Sequence, residues 1–428
     1  MLTPHQSGLR WLFLDLNSYF ASVEQQERPA LRGRPVAIVP MMTDSTCAIA
    51  ASAEAKLYGI KTGTPIYEAK KLCPALTCVL ARHDVYVDYH HRILTATERV
   101  LPVHKVWSID EFDCELLGQE RQFETASLIA KRVKAEIRRH VGEHITCSIG
   151  IAPTSFLAKV ATEIDKRDGL TILPPENLPG DLLRLKLTDL PGINVAMEAR
   201  LNRAGVMTVH DLWRTEPKQA RAIWGSVQGE RFWYWLHGYD VPVQNTHTSM
   251  IGHSRILDPA LRGAAATRQM ARRLTVKASY RLRQKNLYAA RFYFSVRTID
   301  GMKWSGERQF PAAHDAFTFL EHLDGLWAEM QNRIVTPSPS RPFFKKVSVI
   351  LHGLKESGGI TDDLFDTSLT AQKKKRDRRE SLSAALDRLQ NKYHRETVSV
   401  GVVPKTLAGH VGTKIAFSRV PDREEFWD

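Results

Sequence analysis

Residues 11–20 read WLFLDLNSYF, and this stretch decides the fold. Four apolar residues lead into Asp15, and after Leu16, Asn17 and Ser18 come two rings, Tyr19 and Phe20. The apolar run reads as a buried strand. A carboxylate buried at its end costs several kcal/mol unless a proton, a cation or hydrogen bonds compensate it.

Working outward, PVAIV (35–39) reads as a second buried strand, and AEAKLYGIKTG (53–63) as a helix ending at Gly59. HKVWSIDEFDCELL (104–117) reads as a strand pair around an acidic turn. The segment 123–142 spaces Leu128, Ile129, Val133 and Ile137 as a helix does. HITCSIGIA (144–152) reads as a strand and TSFLAKVATEIDK (154–166) as a helix. Strands and helices alternate, so this part is mixed α and β.

Residues 180–240 read as all-helical. Within them LTDLPGINVAMEARLNRAGVMTVHDLW (187–213) places a Leu-Pro-Gly-Ile turn, with Gly192 at its tip, between two helical patterns. Such a turn resembles a helix-hairpin-helix, which aims backbone N–H groups at a DNA phosphate without reading bases. An ordinary turn between helices is the alternative. Residues 241–250 read as a linker, and 251–355 as a small α+β domain with strands at 288–299 and 344–354. Residues 357–368 read as a flexible stretch, KKKRDRR (373–379) as a charge run, and a helix is expected from 381.

The 428 residues suffice for two to four domains. No apolar run approaches the roughly 20 residues of a membrane span, and the first residues lack the pattern of a signal peptide. A cytoplasmic protein without a membrane partner is expected. Cys47, Cys73, Cys78, Cys114 and Cys147 are odd in number and contain no C-x-x-C, which points away from a disulfide framework or a zinc site. The formal net charge of +13 favours a polyanionic partner. Residues 268–285 carry Arg268, Arg272, Arg273, Lys277, Arg281, Arg283 and Lys285 and no acid. That segment reads as an anion-binding surface, with a solvated helix face as the alternative.

Asp110 and Glu111 end a second apolar run, VWSI. If its strand neighbours that of Asp15, three carboxylates converge at one end of a sheet. Three acids that close cannot all stay ionised without a cation. Mg²⁺ suits carboxylates together with substrate phosphates, and two such ions clamp the attacking and leaving oxygens of an in-line phosphoryl transfer. Taken singly, an acid after an apolar run is usually a turn or a helix cap.

These pieces occur together. LDLNSYFASVEQ, LRGRPVAIV, AASAEAKLYGIKTGTPIYEAKKLCP, SIDEF and SIGIAPTSFLAKVATEIDKRDGLTIL closely resemble, in order and spacing, the Y-family translesion DNA polymerases. The resemblance covers 11–240 by motif and 250–355 by position and charge. It implies an α+β right hand. Residues 1–30 and 80–170 would be the catalytic palm, 31–79 the fingers and 171–240 an all-helical thumb holding the helix-hairpin-helix. Residues 248–356 would be the DNA-gripping little finger, and 357–428 a C-terminal tail. It also implies template-directed addition of dNTPs to a primer 3′ end, at low fidelity, during DNA damage tolerance. By motif, Asp15, Asp110 and Glu111 match the acids that hold two Mg²⁺ ions, and the Leu16 carbonyl matches a further ligand. Ser18, Tyr19 and Phe20 match the segment facing the incoming triphosphate, with Phe20 at the steric-gate position against a 2′-hydroxyl. Lys56 and Lys166 match basic residues against the phosphates, and Ser52 and Ser108 belong to the same neighbourhood. Gly192 in the thumb, and Arg272, Arg273, Lys277 and Arg281 in the little finger, match DNA-backbone contacts.

Asn17 stands where many members have a second acid, and Ala53 and Lys56 where many have tyrosine and arginine. Both features suit the UmuC-type subgroup, the catalytic subunit of SOS mutagenesis, and so imply accessory subunits. Phe112 and Asp113 depart from the family pattern beside two metal ligands, which keeps open a non-catalytic DNA-binding scaffold. A two-metal nuclease is a third reading, opposed by the lysines placed for a triphosphate. TDDLFD (361–366) resembles, through Leu364 and Phe365, the short peptides that dock into the sliding clamp, although Thr361 replaces the usual Gln.

Overall fold

The computed structural model describes residues 8–242, 248–334, 343–356 and 369–393, together with positions 398, 400 and 420. They belong to two compact units that part between Val243 and Gln244.

The first unit runs β1 (Trp11–Leu16), α1 (Tyr19–Glu27), β2 (Val36–Val39), β3 (Ala50–Ala51), α2 (Ala53–Lys56), α3 (Ile66–Leu72) and β4 (Thr77–Leu80). It continues with α4 (His83–Glu98), β5 (Lys105–Val106), β6 (Glu111–Glu115), α5 (Phe123–His140), β7 (Cys147–Ala152), α6 (Ser155–Ile164) and β8 (Leu170–Ile172). Four helices follow: α7 (Val195–Arg203), α8 (Val209–Trp213), α9 (Pro217–Trp224) and α10 (Val227–Leu236). The opening strand is the centre of a five-stranded sheet, ordered β5-β6-β1-β7-β8, and is antiparallel to both its neighbours. A smaller sheet, β3-β2-β4, carries α2 and α3.

Period-two alternation divides β1 between two cores. Leu12, Leu14 and Leu16 pack with α4 and α5 on one face, whereas Trp11 and Phe13 pack with α6 and the later helices on the other. Helix α5 buries Ala126, Ile129, Ala130, Val133 and Ile137, spaced three and four residues apart. Leu128, expected on that face, is 60 % exposed, because it lies one residue off the stripe. Helix α6 lies very close to the sheet at Gly150, where a Cβ would meet the Ala158 carbonyl at 2.0 Å. A glycine is required there by contact rather than by backbone angle.

The second unit runs β9 (Met250–Ile256), α11 (Ala264–Gln284), β10 (Leu287–Thr298), β11 (Lys303–Ala313), α12 (Ala316–Arg333), β12 (Phe344–Glu356) and α13 (Leu369–Tyr393). Its sheet is antiparallel, ordered β11-β10-β12-β9. Phe292, Phe294, Val296, Val347, Val349 and Leu351 point from it into a core shared with α11 and α12. The basic helix α11 is therefore largely an interior element. The acids that its own sequence lacks come from other helices. Asp324 of α12 pairs with Arg272 at 2.7 Å and Arg268 at 3.0 Å, and Asp387 of α13 pairs with Arg283 at 2.6 Å. Arg273, Lys277 and Arg281 are half-buried, and none of them is free.

Helix α13 begins at Leu369, well before the expected 381, and takes in the charge run. Arg379 of that run pairs with Glu321 of α12, and Ser383 is fully buried, so docking stabilises a segment whose composition alone reads as solvated. The TDDLFD motif, with Leu364 and Phe365, lies outside the described residues. Among the described residues no helix is long and apolar enough to cross a membrane.

Candidate active site

Asp15 and Glu111 are direct partners in the β1–β6 ladder, and the Leu16 amide donates to the Asp110 carbonyl at 2.9 Å. Antiparallel pairing thus brings the ends of two distant apolar runs to one edge, as the sequence led us to expect. Alternation turns Asp15 and Glu111 toward α6, whereas Phe112 turns away and is fully buried in the α4–α5 core.

A cation stands among these acids. The Lys159 ammonium of α6 reaches Asp15 Oδ2, lies 2.8 Å from Glu111 Oε1 and 3.3 Å from Glu163 Oε1. Glu163 in turn pairs with Lys166. Burial raises the Asp15 and Glu111 carboxyls above their ordinary values, an effect that Lys159 opposes. Burial alone would lower the Lys159 ammonium, but Asp15 and Glu111 overcome it and hold it raised. Lys159 and Glu163 escaped the sequence reading because they sit in an ordinary amphipathic helix. The available signal was one lysine inside the small apolar run LAKVA, four residues before an acid.

Among the described residues no three His, Cys, Asp or Glu side chains close around one point. The ammonium takes the central place instead. The donor set is nevertheless all oxygen, as a hard divalent cation requires, and the half-buried acids call for positive charge. The residues fit such an ion, provided it displaces or joins Lys159.

A cavity of about 900 Å³ opens on this edge. Asp15, Leu16, Ser18, Tyr19, Phe20, Lys56, Ser108, Asp110, Glu111, Lys166 and Gly192 all line it, with Lys159 and Glu163. Ser108 donates to Asp110 Oδ1 at 2.5 Å. Lys56 is lowered first by burial and then by the neighbouring Lys166 charge. Two lysines lining one cavity are placed for an anion, Lys166 while also paired with Glu163.

Helix α1 begins at the cavity, with Ser18 in the left-handed region at φ 49°. The amides of its first two residues, Tyr19 and Phe20, precede the helical ladder, which begins where Ala21 donates to the Ser18 carbonyl at 2.9 Å. The two rings separate in role. Tyr19 is 3 % exposed and donates its hydroxyl to the Tyr86 carbonyl at 2.6 Å. Phe20 is half-buried on the cavity wall and stacks on Tyr86, with ring centroids 4.4 Å apart. That platform is braced by Glu24, fully buried, which accepts from Arg82 at 2.8 and 2.9 Å and from the Tyr86 hydroxyl at 2.9 Å.

One expected site residue is corrected. Ser52 does not line the cavity. It is fully buried, caps α2 through the Ala55 amide at 3.3 Å and accepts from the Val36 amide at 3.1 Å. Its hydroxyl is used by the fold. The expected hairpin also differs: between β8 and α7 the chain makes three short 3₁₀ segments, Pro175–Asn177, Gly180–Arg184 and Leu187–Asp189, in place of a first α-helix. Gly192 has φ 91°, which favours glycine, and Asn194 caps α7 through the Met197 amide.

Residues 14–163 match the impB/mucB/samB family, and residues 248–364 match its C-terminal domain. A DNA polymerase IV from Moorella thermoacetica is 31 % identical over 388 residues, covering 89 % of this chain and 93 % of that protein. A DNA polymerase IV from Pelotomaculum thermopropionicum is 36 % identical over 205 residues, 47 % of this chain and 50 % of that one. The fold is similar to that of a solved Y-family DNA polymerase chimera of Dbh and Dpo4, at TM-score 0.66 and 23 % identity, covering 81 % of this chain and all of that one. The chain belongs to the Y family of DNA-directed DNA polymerases, the impB/mucB/samB family.

Proposed function

We propose that the cavity is the nucleotidyl-transfer site of a low-fidelity translesion polymerase. The observation that carries this reading is the presence, within one cavity, of an acid cluster at Asp15, Asp110 and Glu111 together with Lys56 and Lys166. Asp15, Asp110, Glu111 and the Leu16 carbonyl would hold two Mg²⁺ ions. When bound, such ions lower the barrier at the attacking and leaving oxygens. The residues' own part is to bind and orient. Lys56, Lys166 and the α1 amides hold the triphosphate of a dNTP, and Phe20 presses on its sugar. The primer 3′ oxygen bonds to the α-phosphorus, the bond to the β-phosphate breaks, and pyrophosphate leaves.

In this reading residues 1–30 and 80–170 are palm, 31–79 fingers, 171–240 thumb and 248–356 little finger. For duplex DNA, the face of the second unit's sheet that no described helix covers is the stronger surface. Lys303, Arg297 and Lys346 are exposed and in register across three strands. Beside them Ser305, Ser295, Ser348 and Ser254 form a row across all four. Cations and hydroxyls so arranged suit phosphates. On α11, by contrast, a phosphate must compete with Asp324 for Arg272.

Asn17 and the AEAK segment support the finer UmuC-type reading, with SOS mutagenesis, accessory subunits and clamp docking through Leu364 and Phe365. The curated relatives are named DNA polymerase IV, which favours an enzyme of that kind instead. The scaffold alternative rested on Phe112 and Asp113, and neither lines the cavity. Primer extension with labelled DNA, dNTPs and Mg²⁺ tests the reading. Elongation supports it, shortening makes the chain a nuclease, and binding without turnover makes it a scaffold.

A further inference from the structure

Asp113 is 1 % exposed, two residues beyond Glu111 on the same face of β6. Its carboxylate is well partnered. Oδ2 accepts from the Trp107 indole at 2.8 Å and from the Ser155 hydroxyl at 2.6 Å, and Oδ1 lies 3.0 Å from His104 Nδ1. Ser155 opens α6, the helix that carries Lys159, and His104 and Trp107 flank β5. An acid in place of an apolar residue here is therefore a tie between two elements.

The group it holds most conspicuously is Trp107. The indole N–H is bonded, yet the residue is 40 % exposed, and the Lys105 ammonium lies 3.5 Å from the ring centroid. Val106 between them is 37 % exposed. This short edge strand presents an aromatic surface with a cation on it. The Trp107 and Ser108 amides both donate to the Glu111 carbonyl, at 2.9 and 3.1 Å, which fixes the hairpin against the acids. Asp110 stands three positions beyond Trp107, a reach of about 10 Å. The strand that delivers a 3′-hydroxyl to Asp110 and Glu111 must pass within that distance.

We propose that Trp107 and Lys105 form a contact for the last nucleotides of the primer strand, with Asp113 as the residue that positions the ring. The proposal rests on the polymerase reading above. The indole offers a stacking surface for a base or sugar, and the ammonium a charge for a backbone phosphate. Anchoring the indole N–H spares the ring the loss of rotamer freedom on binding. The two remaining acceptor ties, to Ser155 and His104, keep the anchor itself fixed.

The test is equilibrium binding of a labelled primer–template to the full chain, without dNTP, using 2-aminopurine as the primer's terminal base. Trp107→Ala is expected to weaken binding about tenfold and to abolish quenching of the terminal 2-aminopurine. It should leave affinity for a duplex lacking a primer end within twofold. Lys105→Ala changes an exposed side chain and keeps the fold. It should reduce the slope of log affinity against log salt by about 0.9. Asp113→Asn should weaken primer-end binding in the parent but add nothing in Trp107→Ala, as a residue acting through the ring must. Unchanged quenching in Trp107→Ala, an unchanged slope in Lys105→Ala, or an additive Asp113→Asn effect overturns the proposal. Primer extension by the parent reads the polymerase assignment separately, since binding is measured without turnover.

Discussion

Lys159 Nζ lies 2.8 Å from Glu111 Oε1, and the same ammonium reaches Asp15 across the β1–β6 ladder. A resident cation thus satisfies two half-buried acids that a divalent ion would otherwise hold. The balance between lysine and metal becomes measurable.

Replacing Lys159 by Gln should destabilise the metal-free protein by about 1.5–3 kcal/mol, the range for hydrogen bonds to charged groups. Mg²⁺ should then stabilise Lys159→Gln more than the parent, because the ion no longer competes with an ammonium. Thermal melts with and without excess Mg²⁺ measure both effects. Equal Mg²⁺-dependent shifts in the two proteins would mean that the lysine and the ion occupy different places.

A pH dependence follows from the same acids. Burial holds folded Asp15 and Glu111 above the ordinary ~3.9 and ~4.3. A raised folded value favours the folded state when the group is protonated. Their contribution to stability is therefore complete below the ordinary carboxylate range and is lost as pH rises through the raised values. Mg²⁺ binding runs the other way, since it needs both groups ionised. On acidification, Mg²⁺ affinity and extension rate should begin to fall above the range of a free carboxylate. Titrating Mg²⁺ affinity against pH checks this, and a midpoint at ordinary carboxylate values refutes the buried-acid account.

Phe20→Ala should raise ribonucleotide incorporation relative to dNTPs at least tenfold, a loss of about 1.4 kcal/mol of discrimination. The ring lies on the cavity wall and can be removed without touching a carboxylate. Tyr19→Ala should act differently, because Tyr19 is core and bonded to the Tyr86 carbonyl. It should lower stability by several kcal/mol, as aromatic truncations in cores do. Incorporation efficiencies opposite one template base, together with melting curves, separate the two. A collapse of discrimination in Tyr19→Ala alone would move the gate by one residue.

Gly150→Ala should push α6 from the sheet, since its Cβ would stand 2.0 Å from the Ala158 carbonyl. A cost of about 1–3 kcal/mol is expected from overpacking. Because Lys159 follows Ala158 directly, the extension rate should fall more than DNA affinity does. Comparing kcat with the DNA dissociation constant tests this; a purely structural role would leave kcat of the folded fraction unchanged.

Removing Lys303, Arg297 and Lys346 together should flatten the salt dependence of duplex binding by up to about 0.9 per lost phosphate contact. Arg272→Ala should change the slope by less, since Asp324 already pairs with that guanidinium. If Arg272→Ala produces the larger change, α11 rather than the sheet faces the DNA.

The sequence by itself determined where strands and helices alternate, because apolar periodicity is local. It also determined that Asp15, Asp110 and Glu111 end apolar runs, and that Lys56 and Lys166 belong to recognisable motifs. Pairing and proximity were decided by tertiary structure. The register that opposes Asp15 to Glu111 and the entry of Lys159 into the acid cluster join residues 96 and 144 positions apart, and the approach of α6 at Gly150 is a contact between a helix and a sheet. The same holds for the basic helix. The seven cations of 268–285 were legible, but not Asp324 and Asp387, which pair with three of them from other helices. Ser52 read as a site residue because motif proximity along the chain cannot reveal that a hydroxyl is already used by a helix cap. Local pattern is written in nearest neighbours along the chain, whereas charge compensation is a property of neighbours in space.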